Sequence, residues 1–376
     1  MRHLPSLSLL ALFFCLAVPA TAPAGEKEVG GKKESEWLKI LLVEKNTAKE
    51  RRLALTALEI IGPKGDRVLQ GLTVALLKDA DPEIRRETAQ TLGRMGDEAK
   101  LTIPALARSL TEDKDGPVRE AAAQALSGSM APHSKTAVTE LGKALKDSYA
   151  PTRTAAALAL KDLGVEAKPA LPQLIELLKD TKQSDTEFAA RVYAAQLVGR
   201  LAADAELAVP ILAGIVAAKE ENPLVRTAAA EALGRYGAKA ESAADPLAQA
   251  VSDAKADSAL RRAALVSLGK VSNDVRKVWP TAQLALKDAD NTLRSQAVRV
   301  AGPLGKAEKE IIATLESHAR MDSSIEVRIA AIQELGQLGA AAKAAEATLR
   351  ELAQNDTRPA VRQAAQAALK SLAGAP

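Results

Sequence analysis

Few side chains in this sequence are of a type that carries chemistry, and those few are either solitary or strictly repeated. Cys15 is the only cysteine and lies in an apolar N-terminal run, so the rest of the chain has no thiol nucleophile, disulfide or Cys-ligated metal. Of the three histidines, His133 and His318 stand far apart and neither is followed by glutamate. Two histidines and no nearby third ligand do not make a metal site, and no carboxylate spacing suggests one without them. No Ser/His/Asp arrangement, nucleophile elbow or phosphate loop is visible. Gly93-Arg-Met-Gly96 has the look of a glycine loop but falls at a helix end, and Glu220-Glu221 reads as a solvated pair in a loop. The expectation is a chain with no catalytic residue, no cofactor and no metal.

The repeated residues are arginines. Arg51, Arg85, Arg119, Arg153, Arg191, Arg226, Arg261, Arg294, Arg328 and Arg362 follow one another at steps of 34, 34, 34, 38, 35, 35, 33, 34 and 34 residues. Ten copies in near-constant register define a repeat architecture. Three residues after each anchor stands a small residue, alanine in every copy but Thr88, and seven after it a residue such as Leu58, Leu92, Leu126 or Leu233. Offsets of three and seven trace one face of an α-helix, here named helix A. Gly62, Gly96, Gly164, Gly237, Gly305 and Gly339 fall where helix A should end and would supply the left-handed turn that stops it. A second helix, B, follows. Pro104, Pro172, Pro210, Pro246 and Pro280 are expected to open it, and leucine pairs four apart (Leu72 and Leu76, Leu106 and Leu110, Leu141 and Leu145, Leu174 and Leu178) mark its buried face.

An aspartate sits six residues before the anchor in seven copies: Asp79, Asp113, Asp147, Asp185, Asp288, Asp322 and Asp356. Such a residue can accept the free N–H groups of the coming helix, or pair with the arginine of an adjacent repeat. The second role makes a charged ladder along the stack, which is the favoured reading of the arginines. The rival, an anion-binding stripe, needs the guanidinium groups free in water.

The motif stands as Pro117-Val-Arg119-Glu-Ala-Ala-Ala-Gln-Ala-Leu126, again from Leu224-Val-Arg226 to Leu-Gly-Arg-Tyr-Gly237, and again from Glu326-Val-Arg328 to Leu-Gly-Gln-Leu-Gly339. It resembles the HEAT repeat, in the short form of phycobilisome-lyase-like HEAT proteins, over about residues 35–374. The resemblance implies an all-α fold, an α-solenoid of about ten stacked helical hairpins. It implies less about activity, because the family spans scaffolds, lyases and hydroxylases. The His-Glu pairs of the di-iron hydroxylases of this type are missing here.

Composition agrees with stacked helices. Hydrophobic residues reach 47% while aromatics make up only 2%, so the apolar content is mainly small and aliphatic. A formal net charge of +4 over 376 residues announces neither nucleic acid nor an anionic membrane as partner. The few aromatics are scattered, not stacked along a basic groove. The N-terminus carries Arg2, an apolar run from Leu7 to Val18 and the small-residue stretch Pro19-Ala-Thr-Ala-Pro-Ala24, the layout of a secretory signal peptide. Residues 1–24 are therefore expected to be removed, after Ala20, Ala22 or Ala24, which predicts export to a periplasm or the outside and no lasting membrane anchor. Residues 25–34 read as a flexible charged leader, 35–43 as a lone B helix capping the stack, and 35–374 as the solenoid. Gln363, Gln366 and Lys370 would give its far end a polar face.

The function expected is an exported scaffold that binds a protein partner on its curved surface, with the B helices lining that surface. The alternatives are a lyase or oxidoreductase-type HEAT enzyme acting on a chromophore or protein side chain, and a structural spacer in an envelope assembly. Phe188 and Trp279 are the two candidate partner contacts. Phe188 adjoins the insertion in the long fourth step, residues 181–187, and Trp279 alternatively packs the turn before Pro280.

Overall fold

The computed structural model describes residues 27–62, 66–180 and 188–373. The expected signal peptide, residues 63–65, Asp185 and the rest of the 181–187 insertion lie outside the described residues. The described chain runs through β1 (Glu28–Val29), β2 (Lys32–Lys33), α1 (Glu34–Leu42), α2 (Ala48–Ile61), α3 (Asp66–Lys78), α4 (Pro82–Met95), α5 (Ile103–Glu112) and α6 (Gly116–Ala125). It continues with α7 (Val138–Ala144), α8 (Ala150–Leu163), α9 (Leu171–Lys179), α10 (Phe188–Leu201), α11 (Ala205–Ala217), α12 (Pro223–Tyr236) and α13 (Ala244–Ser252). The last third holds α14 (Ser258–Val271), α15 (Val275–Ala285), α16 (Asn291–Ala301), α17 (Lys309–Met321), α18 (Ile325–Gln337), α19 (Glu346–Asn355) and α20 (Pro359–Ala373). Even-numbered helices are the A helices and odd-numbered ones the B helices. The chain is an all-α solenoid in register with the arginines.

Local chemistry explains where the A helices begin and end. Asp81, Asp115, Asp257 and Asp290 cap α4, α6, α14 and α16, each side chain accepting a backbone N–H of the first turn at 2.8–3.2 Å. These caps stand two residues after the recurrent aspartate position, so the recurrent aspartate itself is not the helix cap. Gly96, Gly164, Gly237 and Gly339 end their helices at φ between 55° and 59°, and Gly62 at 73°, a region costly for any residue with a Cβ. Gly305 is the exception. It lies inside a 3-10 turn, Gly302–Lys306, and has no positive φ. Similar 3-10 turns join most A helices to the B helices that follow. After α10 and α14 that turn is missing, and α11 and α15 start a turn earlier. Pro210 and Pro280, expected to open their helices, therefore sit inside them, whereas Pro104 and Pro172 stand in the first turn.

Packing follows the offsets. The small residues three after the anchor, Ala54, Thr88, Ala122, Ala156 and their equivalents, are fully buried, and so are the leucine pairs of the B helices. Each buried leucine contributes roughly 2 kcal/mol from lost apolar surface. A further rule emerges only in three dimensions. The residue eight after the anchor faces the residue six after the next anchor, and several of these pairs bring main chains together. A Cβ on Gly93 would lie 3.0 Å from Ala125 Cα, one on Gly199 2.6 Å from Ala232 Cα, and one on Gly336 2.9 Å from Ala368 Cα. In the B row a Cβ on Gly71 or Gly142 would meet side chains first, Leu38 in one case and Ala170 in the other. Consecutive A helices thus approach more closely than consecutive B helices. A stack with one row spaced more tightly bends toward that row, because the same number of steps spans a shorter arc there. The inner face is that of the A helices, not of the B helices as the sequence suggested.

The two ends differ from expectation in one respect. Residues 27–33 are not a loose leader. Gly30 and Gly31, both at positive φ, turn β1 back on β2, and Trp37 donates from Nε1 to the Val29 carbonyl at 3.0 Å. Lys27 Nζ donates to the Ile61 carbonyl at 2.8 Å, and Lys32 lies 5.3 Å above the Trp37 ring. The hairpin covers the open side of α1 and α2. At the other end Gln363, Gln366 and Lys370 of α20 are exposed.

Candidate interaction surface

Two sets of charged side chains line the stack, and they behave differently. The first is the arginine ladder at the edge where B helices lead into A helices. Arg51 pairs with Asp79 at 2.9 Å, Arg85 with Asp113 at 2.7 Å, Arg119 with Asp147 at 2.7 Å, Arg261 with Asp288 at 2.6 Å and Arg294 with Asp322 at 2.8 Å; Arg328 pairs with Asp356. Each partner belongs to the next repeat. Arg85, Arg119 and Arg294 hold both oxygens of their carboxylate and also donate from Nη1 to the carbonyl six residues back, so one guanidinium ties three chain segments. Each aspartate in turn accepts the N–H two residues ahead, as Asp113 does from Asp115 at 3.0 Å.

Burial raises the carboxyl pKa of Asp113, Asp147 and Asp322, but the arginine and backbone hydrogen bonds outweigh it and hold all three below the ordinary aspartate value. With the arginine side chains 11–15% exposed and their aspartates 4–9%, the guanidinium heads are committed to these carboxylates and not open to a soluble anion. The ladder holds neighbouring repeats in register. Three rungs depart from the pattern. Arg191 pairs with Glu221 at 2.5 Å, so this glutamate, read from sequence as solvated, is a half-buried substitute for the missing aspartate. Arg226 donates twice to the Val216 carbonyl and meets no carboxylate among the described residues. Arg362, on α20, donates to the Asp356 carbonyl at 2.7 Å and pairs with no carboxylate among the described residues. Arg153 donates to the Asp147 carbonyl at 2.5 Å.

The second set lies on the solvent face of the A row. Toward the N-terminus its cations are closed by carboxylates: Arg52 meets Glu87 at 2.8 Å, Arg86 meets Glu83 at 2.6 Å and Arg94 meets Glu59 at 2.7 Å. From α10 to α16 Arg262 is likewise closed, by Asp290 at 2.8 Å, but three others are open. Arg200, Arg235 and Lys270 occupy the same register position in three consecutive repeats, all exposed, and no carboxylate pairs with them among the described residues. Arg200 donates only to the Lys161 carbonyl at 3.0 Å, and Arg299, on α16, only to Gln333 at 3.5 Å.

The same face is indented twice, and Lys270 and Arg299 line the second of the two grooves. A groove of about 250 Å³ between α10 and α12 is lined by Phe188, Val192, Tyr193, Gln196, Leu224 and Glu231 among others. A groove of about 270 Å³ between α14 and α16 is lined by Val266, Lys270, Gln296, Arg299, Val300 and Leu304 among others, and the buried Gln296 Oε1 has no hydrogen-bond partner there. A more open and strongly charged hollow of about 580 Å³ lies at the ladder edge between Asp79 and Asp115.

Of the two sequence candidates, Phe188 is half-buried and lines the first groove, whereas Trp279 is 7% exposed inside α15 and packs the stack instead of offering a ring to a partner. His133 faces Asp97 at 3.3 Å and His318 faces Asp322 at 3.1 Å, each apart from the other. Tyr236 is buried, its hydroxyl donating to the Ala203 carbonyl at 2.7 Å, and burial pushes its pKa up to about 12. It holds the 202–204 bend, where Ala202 and Asp204 adopt positive φ in place of the usual glycine turn. Among the described residues no group of three or more His, Cys, Asp or Glu is placed to hold a metal ion, and no helix is long and apolar enough to cross a membrane. The open cations and grooves were missed in the sequence, because their pairing state depends on which residues neighbouring repeats bring opposite them.

The family model described as HEAT repeats matches residues 35–127 and 280–370, and that described as PBS lyase HEAT-like repeat matches 152–180 and 225–253. A search of curated protein sequences finds no match. Among solved structures, an engineered protein aligns over 91% of this chain and 99% of its own, with a TM-score of 0.59 and 18% identity. The karyopherin Kap121p, bound to the extreme C-terminus of the protein phosphatase Cdc14p, aligns over 90% of this chain and 41% of its own (TM-score 0.55, 16% identity). Kap95p, whose binding induces the switch loops of RanGDP to adopt the GTP-bound conformation, aligns over 90% of this chain and 50% of its own (TM-score 0.56, 13% identity). The chain thus spans half or less of the length of these two proteins, and at such identities the likeness is one of fold. Repeat register, ladder and family matches agree, and the chain belongs to the HEAT-repeat proteins.

Proposed function

We propose that this chain is an exported scaffold that holds a protein partner against the inner, A-helix face of its solenoid. The observation that carries the reading is the row Arg200, Arg235 and Lys270 on that face, exposed and without a carboxylate among the described residues, with Lys270 and Arg299 lining the groove between α14 and α16. An open cation beside an apolar recess is the arrangement expected of a surface that exchanges water for a partner's side chains. Affinity would come from many modest contacts spread over several repeats, as extended concave surfaces of solenoids allow. The similarly folded karyopherin Kap121p has been solved bound to the extreme C-terminus of Cdc14p, to Ulp1p and to Nup53p, which favours a protein as partner. Export rests on the N-terminal sequence Arg2 to Ala24 alone.

Crosslinking with mass spectrometry on the native protein in its cells tests this. The expected result is a recurrent protein partner whose crosslinks fall on α10 to α16 and their flanking loops. Crosslinks confined to the B helices, or no protein partner at all, would remove the reading.

A further inference from the structure

In the groove between α14 and α16, open cations and an apolar lining meet. Val278 is fully buried there, and Val266 and Val300 are half-buried. Lys270 and Arg299 line the same recess and are exposed, as is Asn273, whose amide can donate a hydrogen bond. The acids around it are engaged elsewhere. Glu241 accepts from Ser272 and Lys277, each at 2.9 Å, and Asp274 holds Arg276 at 2.9 Å. Glu334, on α18, is buried against Gly302; burial raises its pKa and Arg299 opposes the rise, with no ion pair between the two. Arg299 itself reaches only the Gln333 side-chain oxygen, at 3.5 Å, and Lys270 pairs with no carboxylate among the described residues.

The groove between α10 and α12 has the opposite character, because Glu231 is the only charged residue among the described residues that line it. The cation row stands level with the α14–α16 groove instead: Arg200, Arg235 and Lys270 share one register position, and Lys270 is part of that groove's lining. Neighbouring helices are about 8–10 Å apart, so Arg235 and Arg200 lie roughly 13 and 22 Å from the middle of the groove. An extended chain advances about 3.3 Å per residue and covers those distances in about four and seven residues.

At about 270 Å³ the recess is smaller than the roughly 300–1,000 Å³ of pockets for drug-sized ligands, and it suits a single residue. An apolar lining beside two cations asks that residue for an aliphatic side chain and a carboxylate together. In a polypeptide only the last residue has both, since its free α-carboxylate stands on the Cα that bears the side chain. We infer that the groove between α14 and α16 receives the C-terminal residue of a protein partner. Its aliphatic side chain lies against Val266, Val278 and Val300, its carboxylate meets Lys270 and Arg299, and acidic residues upstream reach Arg235 and Arg200. This deepens the scaffold reading and rests on it.

The test uses the full chain and a fluorescein-labelled synthetic peptide of about nine residues. It ends in leucine with a free carboxylate and carries glutamates about four and seven positions before the end. Fluorescence anisotropy should show saturable binding that weakens as salt is raised from about 0.05 to about 0.5 M. Amidating the peptide C-terminus, or replacing its last leucine by serine, should weaken binding on the order of tenfold. Lys270→Glu with Arg299→Gln should do the same, Arg235→Glu should cost about threefold, and Arg108→Glu on the B row should change nothing. No binding to the parent chain, equal binding of the amidated peptide, or equal loss with Arg108→Glu would each overturn the proposal. So would N-acetylleucine displacing the probe as well as the unlabelled peptide does, which would make the groove a site for small carboxylates. Circular dichroism shows which variants are folded. Lys270→Glu alone, at an exposed residue without an ion pair, stands in for the double variant should that one unfold. In cells the two readings separate. A partner still crosslinked to the Lys270→Glu, Arg299→Gln chain sinks this site and spares the scaffold, and a parent chain that crosslinks to nothing sinks both.

Discussion

The inner face of the solenoid is built from one repeating helix, yet its two halves are finished differently. Between α2 and α6 the exposed arginines are neutralised where they stand, as Arg94 is by Glu59 and Arg52 by Glu87. Between α10 and α16 Arg262, which matches Arg52, is still paired with Asp290 at 2.8 Å, but Arg200, Arg235 and Lys270, which match Arg94, meet no carboxylate among the described residues, and Lys270 lines the groove floored by Val266 and Val300. The backbone is the same in both halves, and so is the ladder behind it. What differs is which side chain the neighbouring repeat presents. A repeat fold thus separates two tasks: the interior positions hold the stack together, and the exposed positions vary from copy to copy without disturbing it.

Breaking the shared framework should have the largest effect in either half. Asp113→Ala leaves Arg85 buried without its partner and should lower stability by about 3–5 kcal/mol, read as an earlier urea transition. If the variant unfolds where the parent does, the ladder contributes no register energy. The pH dependence has a definite sign. Asp113, Asp147 and Asp322 have depressed pKa values in the folded chain, so their contribution is complete above the ordinary aspartate range and is lost as pH falls below about 4. An acid transition that moves toward higher pH in the presence of salt would agree with this; one insensitive to Asp113→Ala would not.

Closing the gap between helices comes next. Gly199→Ala places a Cβ 2.6 Å from the Ala232 main chain and should cost about 1–3 kcal/mol, with a fall in melting temperature. The same change at Gly214, where a Cβ has no neighbour within 4 Å, should be neutral or slightly favourable through helix propensity. Equal behaviour of the two variants would contradict the tighter spacing of the A row, and with it the choice of inner face.

A smaller effect should come from Glu334, which occupies a position held elsewhere by small residues such as Ala125, Ala232 and Ala368. Burial raises its pKa, with Arg299 opposing. Its folded pKa exceeds its unfolded value, so its ionisation costs stability as pH rises through that interval. Glu334→Gln should therefore raise the melting temperature at neutral pH, and the difference should vanish below the ordinary glutamate range. A variant less stable than the parent at pH 7 would refute the assignment.

The smallest stability effect sharpens the comparison of the two halves most directly. Arg94 and Glu59 are a surface pair, and Glu59→Gln should change stability by only about 0.2–1 kcal/mol. It leaves Arg94 in the state of Arg200, Arg235 and Lys270, the residues at the same register position. A larger loss would mean that the pair contributes more than an exposed pair should.

Much of this was written in the one-dimensional pattern. The arginine spacing fixed the number and order of hairpins. The six-residue lead of the aspartates over arginines about 34 apart already placed each acid opposite the previous repeat's arginine, because a regular stack repeats every contact at the period of its sequence. Helix-stopping glycines and buried leucine pairs were legible for the same reason, being demands of backbone geometry and apolar burial within one hairpin.

Contacts set by non-repeating partners were not legible. The hairpin over Trp37, the substitution of Glu221 for an aspartate, the burial of Trp279 and the interior positions of Pro210 and Pro280 each depend on a local break in the period. Which row lies inside the curve is a property of distances between helices, decided by Gly93, Gly199 and Gly336 meeting Ala125, Ala232 and Ala368. Whether an exposed arginine is paired or open was likewise left to the tertiary structure. A surface charge is neutralised only by what the adjoining turn of the superhelix brings within about 4 Å, and that neighbour stands some 35 residues away along the chain.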